Sequence, residues 1–352
     1  MKNKHLMSVV LGILLVAALL AGCAAPAAAP AAPAASDAAA TEEAAATEAA
    51  AEEAPAADAA AGEALFIPVI SKGFQHQFWQ AVKMGAEQAA VDYGVEITFE
   101  GPESESQVDK QIEMVTAALA KNPDALCLAA LDSKALIPQL EEAQSKGIPV
   151  IGFDSGVDSD IPVTTAATDN IAAAAYAADK MAELIGGAGE VAVIVHDQTS
   201  RTGIDRRDGF VNRMAEAYPD ITVVDVQYGG GDQLKSTDLA KAIIQAHPNL
   251  KGFFGANEGS IIGVLNAVTE LGMEGKITVI GYDAGKQQKD AVRSGVQAGA
   301  VSQDPVGIGY KCVEAAVKAV NGEELPTIID TGFKWYDATN IDSEEMQPLL
   351  YD

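Results

Sequence analysis

From residue 65 onward, the sequence alternates short apolar, β-branched segments with longer segments of helical periodicity. In one of the longer segments Val108, Ile112, Val115 and Leu119 recur at spacings of four and three, which places them on one helical face. Strands that alternate with amphipathic helices favour parallel sheets covered by helices on both faces. The predicted strands are 65–70, 95–99, 125–131, 148–153, 190–195, 221–226, 250–255, 277–281 and 297–301.

The alternation is interrupted at residues 162–170, where an extended segment precedes a new alanine-rich helix. A second strand and helix series starts there, and the chain from residue 64 is long enough for two domains of ordinary size. Near the end of the chain we expect a helix at 307–320 and β-like segments at 327–330 and 333–336, which return to complete both sheets. The predicted fold class is α/β, with two similar doubly wound parallel-sheet domains.

Residues 1–22 have the layout of a bacterial secretory signal, with Lys2 and Lys4 before an uncharged apolar run. This run is shorter than the roughly 20 residues that a transmembrane helix needs. It ends in Leu-Ala-Gly followed by Cys23, a sequence that resembles the cleavage site of lipoprotein signals. We therefore expect an extracytoplasmic protein that is attached to the outer face of the cell membrane, or on its periplasmic side, by a lipid on Cys23.

Residues 23–63 are built almost wholly from Ala, Pro, Glu, Asp, Ser and Thr, without basic or large apolar side chains. Such a segment cannot bury enough apolar surface to offset the entropy of ordering it, so we expect a disordered tether. The formal net charge of the whole chain is −27. Because this charge repels phosphate backbones and anionic lipid, we expect no nucleic-acid partner and a membrane contact through the lipid alone.

Polar and aromatic side chains follow the ends of several predicted strands. In open parallel sheets the ligand crevice lies beyond these carboxyl ends. Any one of the polar residues could instead be a helix N-cap, but their placement on two facing rims favours a shared site. The candidate ligand-binding residues are His76, Phe78, Trp79, Asp154, Arg206, Asn257, Asp283 and Gln303.

The chemistry of these residues suits a polyol. The carboxylates of Asp154 and Asp283 only accept hydrogen bonds, whereas the guanidinium of Arg206 only donates them. The flat apolar faces of Phe78 and Trp79 match the C–H side of a sugar ring. Because successive residues of a helix point about 100° apart, we expect one of these two rings to face the core and the other the crevice.

At these residues the chain resembles the periplasmic sugar-binding family typified by ribose-binding protein, whose members serve ABC importers. The similarity covers about residues 65–336 and rests on the segments FWQAVKMGAE, IPVIGFDSG, ATDN, DRRDGF, FFGANEG, VIGYDAG and VSQDP. The resemblance implies that positions matching seven of the candidates hold a sugar, while His76 stands where an asparagine often does. It also implies a cleft that closes on its ligand, a permease partner and a monomer.

The resemblance further implies three hinge strands between the lobes. The N-terminal lobe would comprise 64–168 and 304–331, and the C-terminal lobe 169–303 and 332–352. Two positions depart from the ribose receptor: Ser155 replaces an arginine, and Gly231 replaces an aromatic residue. These departures predict a roomier, less cationic pocket that favours hexoses, inositol or other polyols over ribose. We expect Lys72 and Arg201 to be solvated surface charges.

Other functions are disfavoured. His196, Asp197 and Ser200 are close in sequence, but no G-x-S-x-G motif accompanies them, so we expect no enzyme. The histidines lack metal-ligand spacing and the glycines at 186–189 lack the order of a dinucleotide loop, so we expect neither metal nor cofactor. A receptor that presents its ligand to a membrane chemosensor, or one that binds a nucleoside or autoinducer, remains an alternative within the same architecture.

The remaining cysteines, Cys127 and Cys312, fall in apolar segments. Buried free thiols are the favoured interpretation. A disulfide between them is compatible with export, but the sequence alone does not give its geometry.

Overall fold

The computed structural model describes residues 64–352. The predicted signal at 1–22, the lipidation site Cys23 and the tether at 23–63 lie outside the described residues. Among residues 64–352, no helix is both long and apolar enough to cross a membrane.

The first lobe is built on a six-stranded parallel sheet with the order β11-β5-β4-β3-β1-β2. Its strands are β1 (Phe66–Ile70), β2 (Glu96–Glu100), β3 (Leu126–Leu128), β4 (Val150–Phe153), β5 (Thr164–Ala167) and β11 (Ile328–Asp330). Its helices are α1 (Gln77–Tyr93), α2 (Val108–Leu119), α3 (Ile137–Ser145) and α9 (Pro305–Val320). Apolar clusters cover both faces of this sheet.

The second lobe repeats this plan with the strand order β12-β10-β9-β8-β6-β7. Its strands are β6 (Gly189–Val195), β7 (Ile221–Tyr228), β8 (Leu250–Gly255), β9 (Thr278–Tyr282), β10 (Gly299–Gln303) and β12 (Phe333–Tyr336). Its helices are α4 (Asn170–Ile185), α5 (Arg201–Ala217), α6 (Gln233–Ala246), α7 (Glu258–Glu270) and α8 (Lys286–Ser294), and a 3-10 turn follows at Gln347–Leu349.

The predicted alternation is confirmed, since each predicted strand overlaps an observed one. One strand differs from the expectation of purely parallel sheets, because β12 runs antiparallel to β10. The reason is topological. β11 ends at the cleft, and the chain crosses directly into β12, so β12 enters the second sheet from the side where the neighbouring strands end.

The chain crosses between the lobes after β5, after β10 and after β11. Each crossing lies at the carboxyl end of a strand, so the connections lie on the side of the sheets that faces the other lobe. We retain 64–168 with 304–331 and 169–303 with 332–352 as the proposed lobe boundaries.

Helix α9 returns from the second lobe to pack beside α1 in the first. Gly85 and Gly309 allow a close approach, because a Cβ atom at Gly85 would overlap the carbonyl of Val306 and one at Gly309 the carbonyl of Val82. The buried side of α9 then completes the core over the first sheet. A helix from the end of the sequence thus belongs to the N-terminal lobe.

Cys127 in β3 and Cys312 in α9 form a disulfide, with their Cα atoms 6.3 Å apart. The favoured expectation of two free thiols is therefore wrong. The sequence separation of 185 residues concealed the pairing, which arises only because α9 returns to the first sheet.

Side chains cap the first turns of several helices within one lobe. Asp169, for example, accepts the amide of Ala172 at 3.0 Å, and Ser200 accepts that of Gly203 at 3.1 Å. Helix α1 differs, since its N-cap residue His76 makes no side-chain cap hydrogen bond. The amide groups at the start of α1 must therefore find other partners.

Candidate functional site

A cavity lies between the lobes, where the strands of both sheets end. It contains about 260 Å³ of space between its atoms. All of the candidates from the sequence line it: His76, Phe78, Trp79, Asp154, Arg206, Asn257, Asp283 and Gln303.

Four further residues line the cavity and were missed as ligand-binding candidates: Lys72, Glu105, His196 and Thr202. Two of them obey the strand-end rule, since Lys72 follows β1 by two residues and His196 follows β6 directly. Applied without exception, that rule would have found both. Glu105 lies in the loop after β2, where no sequence signal distinguishes it from its acidic neighbours.

The expectation that Lys72 is a surface charge is wrong. Lys72 is buried, and its Nζ donates a hydrogen bond to Oγ1 of Thr202 in the opposite lobe at 3.0 Å. Arg201 does not line this cavity. It is partly exposed and pairs with Asp158 of the opposite lobe and with Asp205 of its own helix.

The lobes also touch through the backbone, since the amide of Ser133 donates to the carbonyl of Thr199 at 2.9 Å. Together with the bond between Lys72 and Thr202, this contact shows that the structure is closed around the cavity. Asp154 and Glu105 of the first lobe therefore face Arg206 and Asp283 of the second across the same space.

Asp154 and Asp283 occupy equivalent positions in the two lobes, since Asp154 directly follows β4 and Asp283 directly follows β9. Both have left-handed backbone conformations, with φ of 53° and 78°. Few non-glycine residues adopt such angles, and Asp tolerates them better than most. The amide of each aspartate donates to the neighbouring strand, to Ala166 at 2.9 Å and to Val301 at 2.7 Å, which fixes both turns.

Hydrogen bonds hold the side chain of Asp283 in place. Its Oδ1 accepts from Nε2 of Gln303 at 2.8 Å, and its Oδ2 accepts from the amide of Glu258 at 2.9 Å. Gln303 is thereby oriented as well, and its Oε1 is buried without a partner among the described residues. Asn257 is both a helix cap and a cavity residue, because its Oδ1 accepts the amide of Ser260 at 2.9 Å.

Arg206 is fixed by three contacts. Its Nε donates to Oδ1 of Asn170 at 2.7 Å, and its Nη1 donates to the carbonyl of Ala256 at 3.0 Å. The guanidinium lies 3.8 Å from the centre of the Tyr282 ring, which is cation–π distance. These contacts hold the planar donor group in one orientation toward the cavity.

Phe78 and Trp79 both line the cavity, so the expectation that only one of them faces it is wrong. Their ring centres are 5.0 Å apart in an edge-to-face arrangement. The indole N–H of Trp79 donates to Oε1 of Glu105 at 2.8 Å, which satisfies the polar edge of the ring. Helix α1 thus presents two aromatic faces at its first turn.

The expectation of a pocket that is roomier and less cationic than that of the ribose receptor stays a prediction, and two features of the cavity bear against it. A Cβ atom at Gly231 would lie 2.9 Å from Oε2 of Glu105 and 3.3 Å from Nε2 of His76, so the space of the replaced ring is filled from the opposite lobe. Ser155 is buried outside the cavity lining, and Lys72 supplies a cation there instead.

His196, Asp197 and Ser200 do not form a catalytic triad. Oγ of Ser200 lies 3.4 Å from Nε2 of His196 and donates to Oδ2 of Asp197 at 2.8 Å. The carboxylate and the hydroxyl therefore both approach Nε2 of the imidazole, whereas a triad requires the carboxylate on the other nitrogen.

The sequence profile of the periplasmic binding protein domain matches residues 67–324. The chain belongs to this family. The D-allose-binding periplasmic protein of Escherichia coli (strain K12) is 29% identical to this binding protein over 279 residues, which cover 77% of the chain and 89% of the relative. The ribose import binding protein of Bacillus subtilis (strain 168) is 26% identical over 257 residues, covering 73% and 82%.

Solved structures agree with this assignment. An ABC transporter solute-binding protein of Agrobacterium vitis with bound alpha-D-tagatopyranose is 32% identical, with a TM-score of 0.79 over 82% of this chain and 99% of that one. Another from the same organism, with bound D-fucose, is also 32% identical, with a TM-score of 0.79 over 81% and 100%. The family consists of substrate-binding proteins, and this binding protein is not an enzyme.

Burial and the local charges set the ionisation of the groups in this binding protein's cavity. Burial and the cations Lys72 and Arg206 hold the pKa of His196 well below its usual range, so its imidazole is neutral. Burial raises the pKa of Glu105, but the charge of Lys72 and the hydrogen bond from the Trp79 indole oppose this effect, and the pKa is lowered overall. Glu105 is thus a buried carboxylate acceptor.

Asp154 differs from Glu105. Burial raises its pKa to about 6, even though Lys72 and Arg206 favour the charged form. Because the folded pKa exceeds the usual value of 3.8, ionised Asp154 destabilises the closed, ligand-free protein. Neutral Asp154 avoids this destabilisation. The favourable effect of protonation is fully present below about pH 4 and is lost as the pH rises through about 6.

We predict that Asp154→Asn stabilises the closed, ligand-free form relative to the open form at pH 7 by up to about 3 kcal/mol, since one pKa unit corresponds to about 1.4 kcal/mol. This advantage over the wild type should vanish near pH 4. Small-angle X-ray scattering of both ligand-free proteins between pH 4 and 7 measures the closed fraction, and the titrations of other groups cancel in the difference. A difference that does not change with pH would contradict the raised pKa of Asp154.

Proposed function

We propose that this chain captures a monosaccharide or a related polyol between its two lobes and delivers it to the permease of an ABC importer. The observation that carries the proposal is the cavity lining, which combines fixed carboxylate acceptors, a fixed guanidinium donor and two aromatic faces in one small closed space. A sugar is the common ligand that offers many hydroxyls and an apolar C–H face at once.

The cavity offers both hydrogen-bond acceptors and donors, and a sugar hydroxyl can pair with either. Asp154, Asp283 and Glu105 accept from hydroxyl donors, while Arg206 and Lys72 donate to hydroxyl or ring oxygens. Charge-assisted hydrogen bonds contribute about 1.5–3 kcal/mol each. Five or six of them total about 7.5–18 kcal/mol. The upper part of this range exceeds the roughly 8 kcal/mol of a micromolar complex and leaves a surplus to offset the costs of ordering the ligand.

Unpartnered polar atoms in the cavity support a hydroxyl-rich ligand. Among the described residues, Oε2 of Glu105, Oε1 of Gln303 and the Nδ1 atoms of His76 and His196 are buried without hydrogen-bond partners. Leaving a buried polar group unpaired costs about 1–3 kcal/mol. A ligand that supplies several hydroxyls would relieve these costs together.

A six-carbon sugar in pyranose form is the first candidate. The relatives named above are described as binding D-allose or ribose, or were solved with alpha-D-tagatopyranose or D-fucose. A nucleoside would be favoured by further aromatic faces, whereas the lining of this cavity has the one pair Phe78 and Trp79. Presentation of the ligand to a membrane chemosensor would use the same cavity.

Capture requires the lobes to move, because a closed cavity admits no ligand. We propose that the sugar binds one lobe in an open state and then bridges to the other, which shifts the population toward the closed state. The three crossings between the sheets are the proposed hinge. Ligand contacts come from both lobes, with Asp154 on one side and Asp283 on the other.

We further propose that Cys23 carries a lipid and that residues 23–63 act as a flexible tether. The lipid would hold the receptor, as a monomer, at the outer face of the cell membrane, or on its periplasmic side. Tethering would keep its local concentration near the permease high. The support is the sequence, with a secretory signal that ends in Leu-Ala-Gly-Cys and an acidic segment without large apolar residues.

We predict that D-allose, D-tagatose or D-fucose raises the melting temperature of the purified protein, and that Asp154→Ala and Asp283→Ala each weaken its binding by about 2–5 kcal/mol. Each change removes the acceptor of paired hydroxyls. Titration calorimetry measures the affinity, and Asp220→Ala, at an exposed position, is the control. Unchanged affinity in either cavity variant would refute its assignment.

We also predict that Cys23→Ser abolishes the incorporation of labelled palmitate and moves the protein from the membrane fraction to the soluble fraction. The thiol is the acylation site, and the hydroxyl of serine does not replace it. Fractionation of cells that express each form is the measurement. Retention of the variant in the membrane fraction would show that another segment anchors the chain.

A further inference from the structure

Glu258 joins the two lobes at the edge of the cavity without lining it. It is the first residue of α7 in the second lobe, and it is buried. Its Oε1 accepts the amide of Gln77 at 3.0 Å, and its Oε2 accepts the amide of Phe78 at 3.1 Å. Both amides belong to the first turn of α1, in the first lobe.

This contact supplies what α1 lacks. The N-cap residue His76 makes no side-chain cap, and the first turn of α1 contains no acidic residue. The amide groups at a helix start need acceptors, and the positive end of the helix dipole favours a carboxylate there. Helix α4, in contrast, takes its cap from Asp169 within its own lobe.

The same residue is linked to the ligand site from both sides. Its own amide donates to Oδ2 of Asp283, whose other oxygen accepts from Gln303. The helix that it caps presents Phe78 and Trp79 to the cavity. Glu258 thus connects the acceptors of the second lobe to the aromatic pair of the first.

Adjacent contacts bring the two helix starts together. Oε1 of Gln77 accepts the amide of Lys286, at the start of α8 in the second lobe, at 2.7 Å. A Cβ atom at Gly285 would lie 2.9 Å from Oε1 of Gln77 and 3.2 Å from Cδ of Glu258. Glycine at this position leaves room for the carboxylate and the glutamine between the lobes.

We propose that Glu258 is a positioning residue that caps helix α1 across the cleft only when the lobes close, and that this cap sets how long the ligand is retained. The proposal rests on the proposed function, since it concerns the closure that traps the sugar. In the open state, water forms the hydrogen bonds to the two α1 amides and to the carboxylate of Glu258. In the closed state the cap fixes Phe78 and Trp79 against the ligand.

The first test measures hydrogen exchange of the Gln77 and Phe78 amides in the full chain, with and without D-allose. In the wild type we expect D-allose to slow their exchange. With D-allose bound, we expect exchange in Glu258→Ala to be at least tenfold faster than in the wild type, whereas without the sugar the two proteins should exchange alike, because the open state leaves both amides in water. The amide of Ala172, capped within one lobe, should exchange equally in both proteins.

The second test measures D-allose dissociation by stopped flow, using Trp79 fluorescence. We expect Glu258→Ala to dissociate about 10- to 100-fold faster, Glu258→Gln to be intermediate because one acceptor oxygen remains, and association to change little. Glu216→Gln, at an exposed position of α5, is the matched control. Melting temperatures verify that each variant is folded.

The outcomes separate this proposal from the proposed function. If D-allose protects the wild-type amides and the Glu258 variants behave identically, the cap is refuted while sugar capture stands. If D-allose has no effect on the wild type, the choice of sugar fails, and the same comparison is made with D-tagatose or D-fucose. Equal exchange of the Gln77 and Phe78 amides in the sugar-bound wild type and the sugar-bound Glu258→Ala variant overturns the cap.

Discussion

The common direction of the strands determines where everything else in this protein lies. In both sheets the parallel strands end at the cleft, so the loops that follow them meet across one space. Side chains that are distant in sequence, such as Asp154 and Asp283, thereby face the same ligand. Among residues 64–352 one strand, β12, runs antiparallel to its neighbour, and it follows from the same geometry because it begins where the others end.

A site assembled in this way lowers the stability of the protein when no ligand is bound. Two aspartates have left-handed backbone angles, and buried charges face each other across the cavity. Residues in such conformations cost about 1–3 kcal/mol each and persist only where their surroundings hold them. Here the hydrogen bonds of the two turns and the capping of α1 by Glu258 do so. The raised pKa of Asp154 is another sign that the closed site is suited to a bound ligand rather than to the empty cavity.

Much of this arrangement could be predicted from the sequence. Periodicity gave the order of strands and helices, and the strand-end rule placed Asp154, Asp283 and Gln303 in one cavity. The rest depends on long-range packing. Lys72 follows the end of β1, but a lysine in a loop is usually solvated, and its burial against Thr202 depends on the opposite lobe. The pairing of Cys127 with Cys312 likewise requires knowing that α9 returns to the first lobe.

The central claim is that a sugar closes the two lobes around the cavity. Small-angle X-ray scattering of the purified protein, with and without a saturating sugar, tests it most directly. The account predicts a smaller radius of gyration with the sugar and a scattering curve that agrees with the closed structure. An unchanged radius of gyration, at a sugar concentration that calorimetry shows to be saturating, would contradict it.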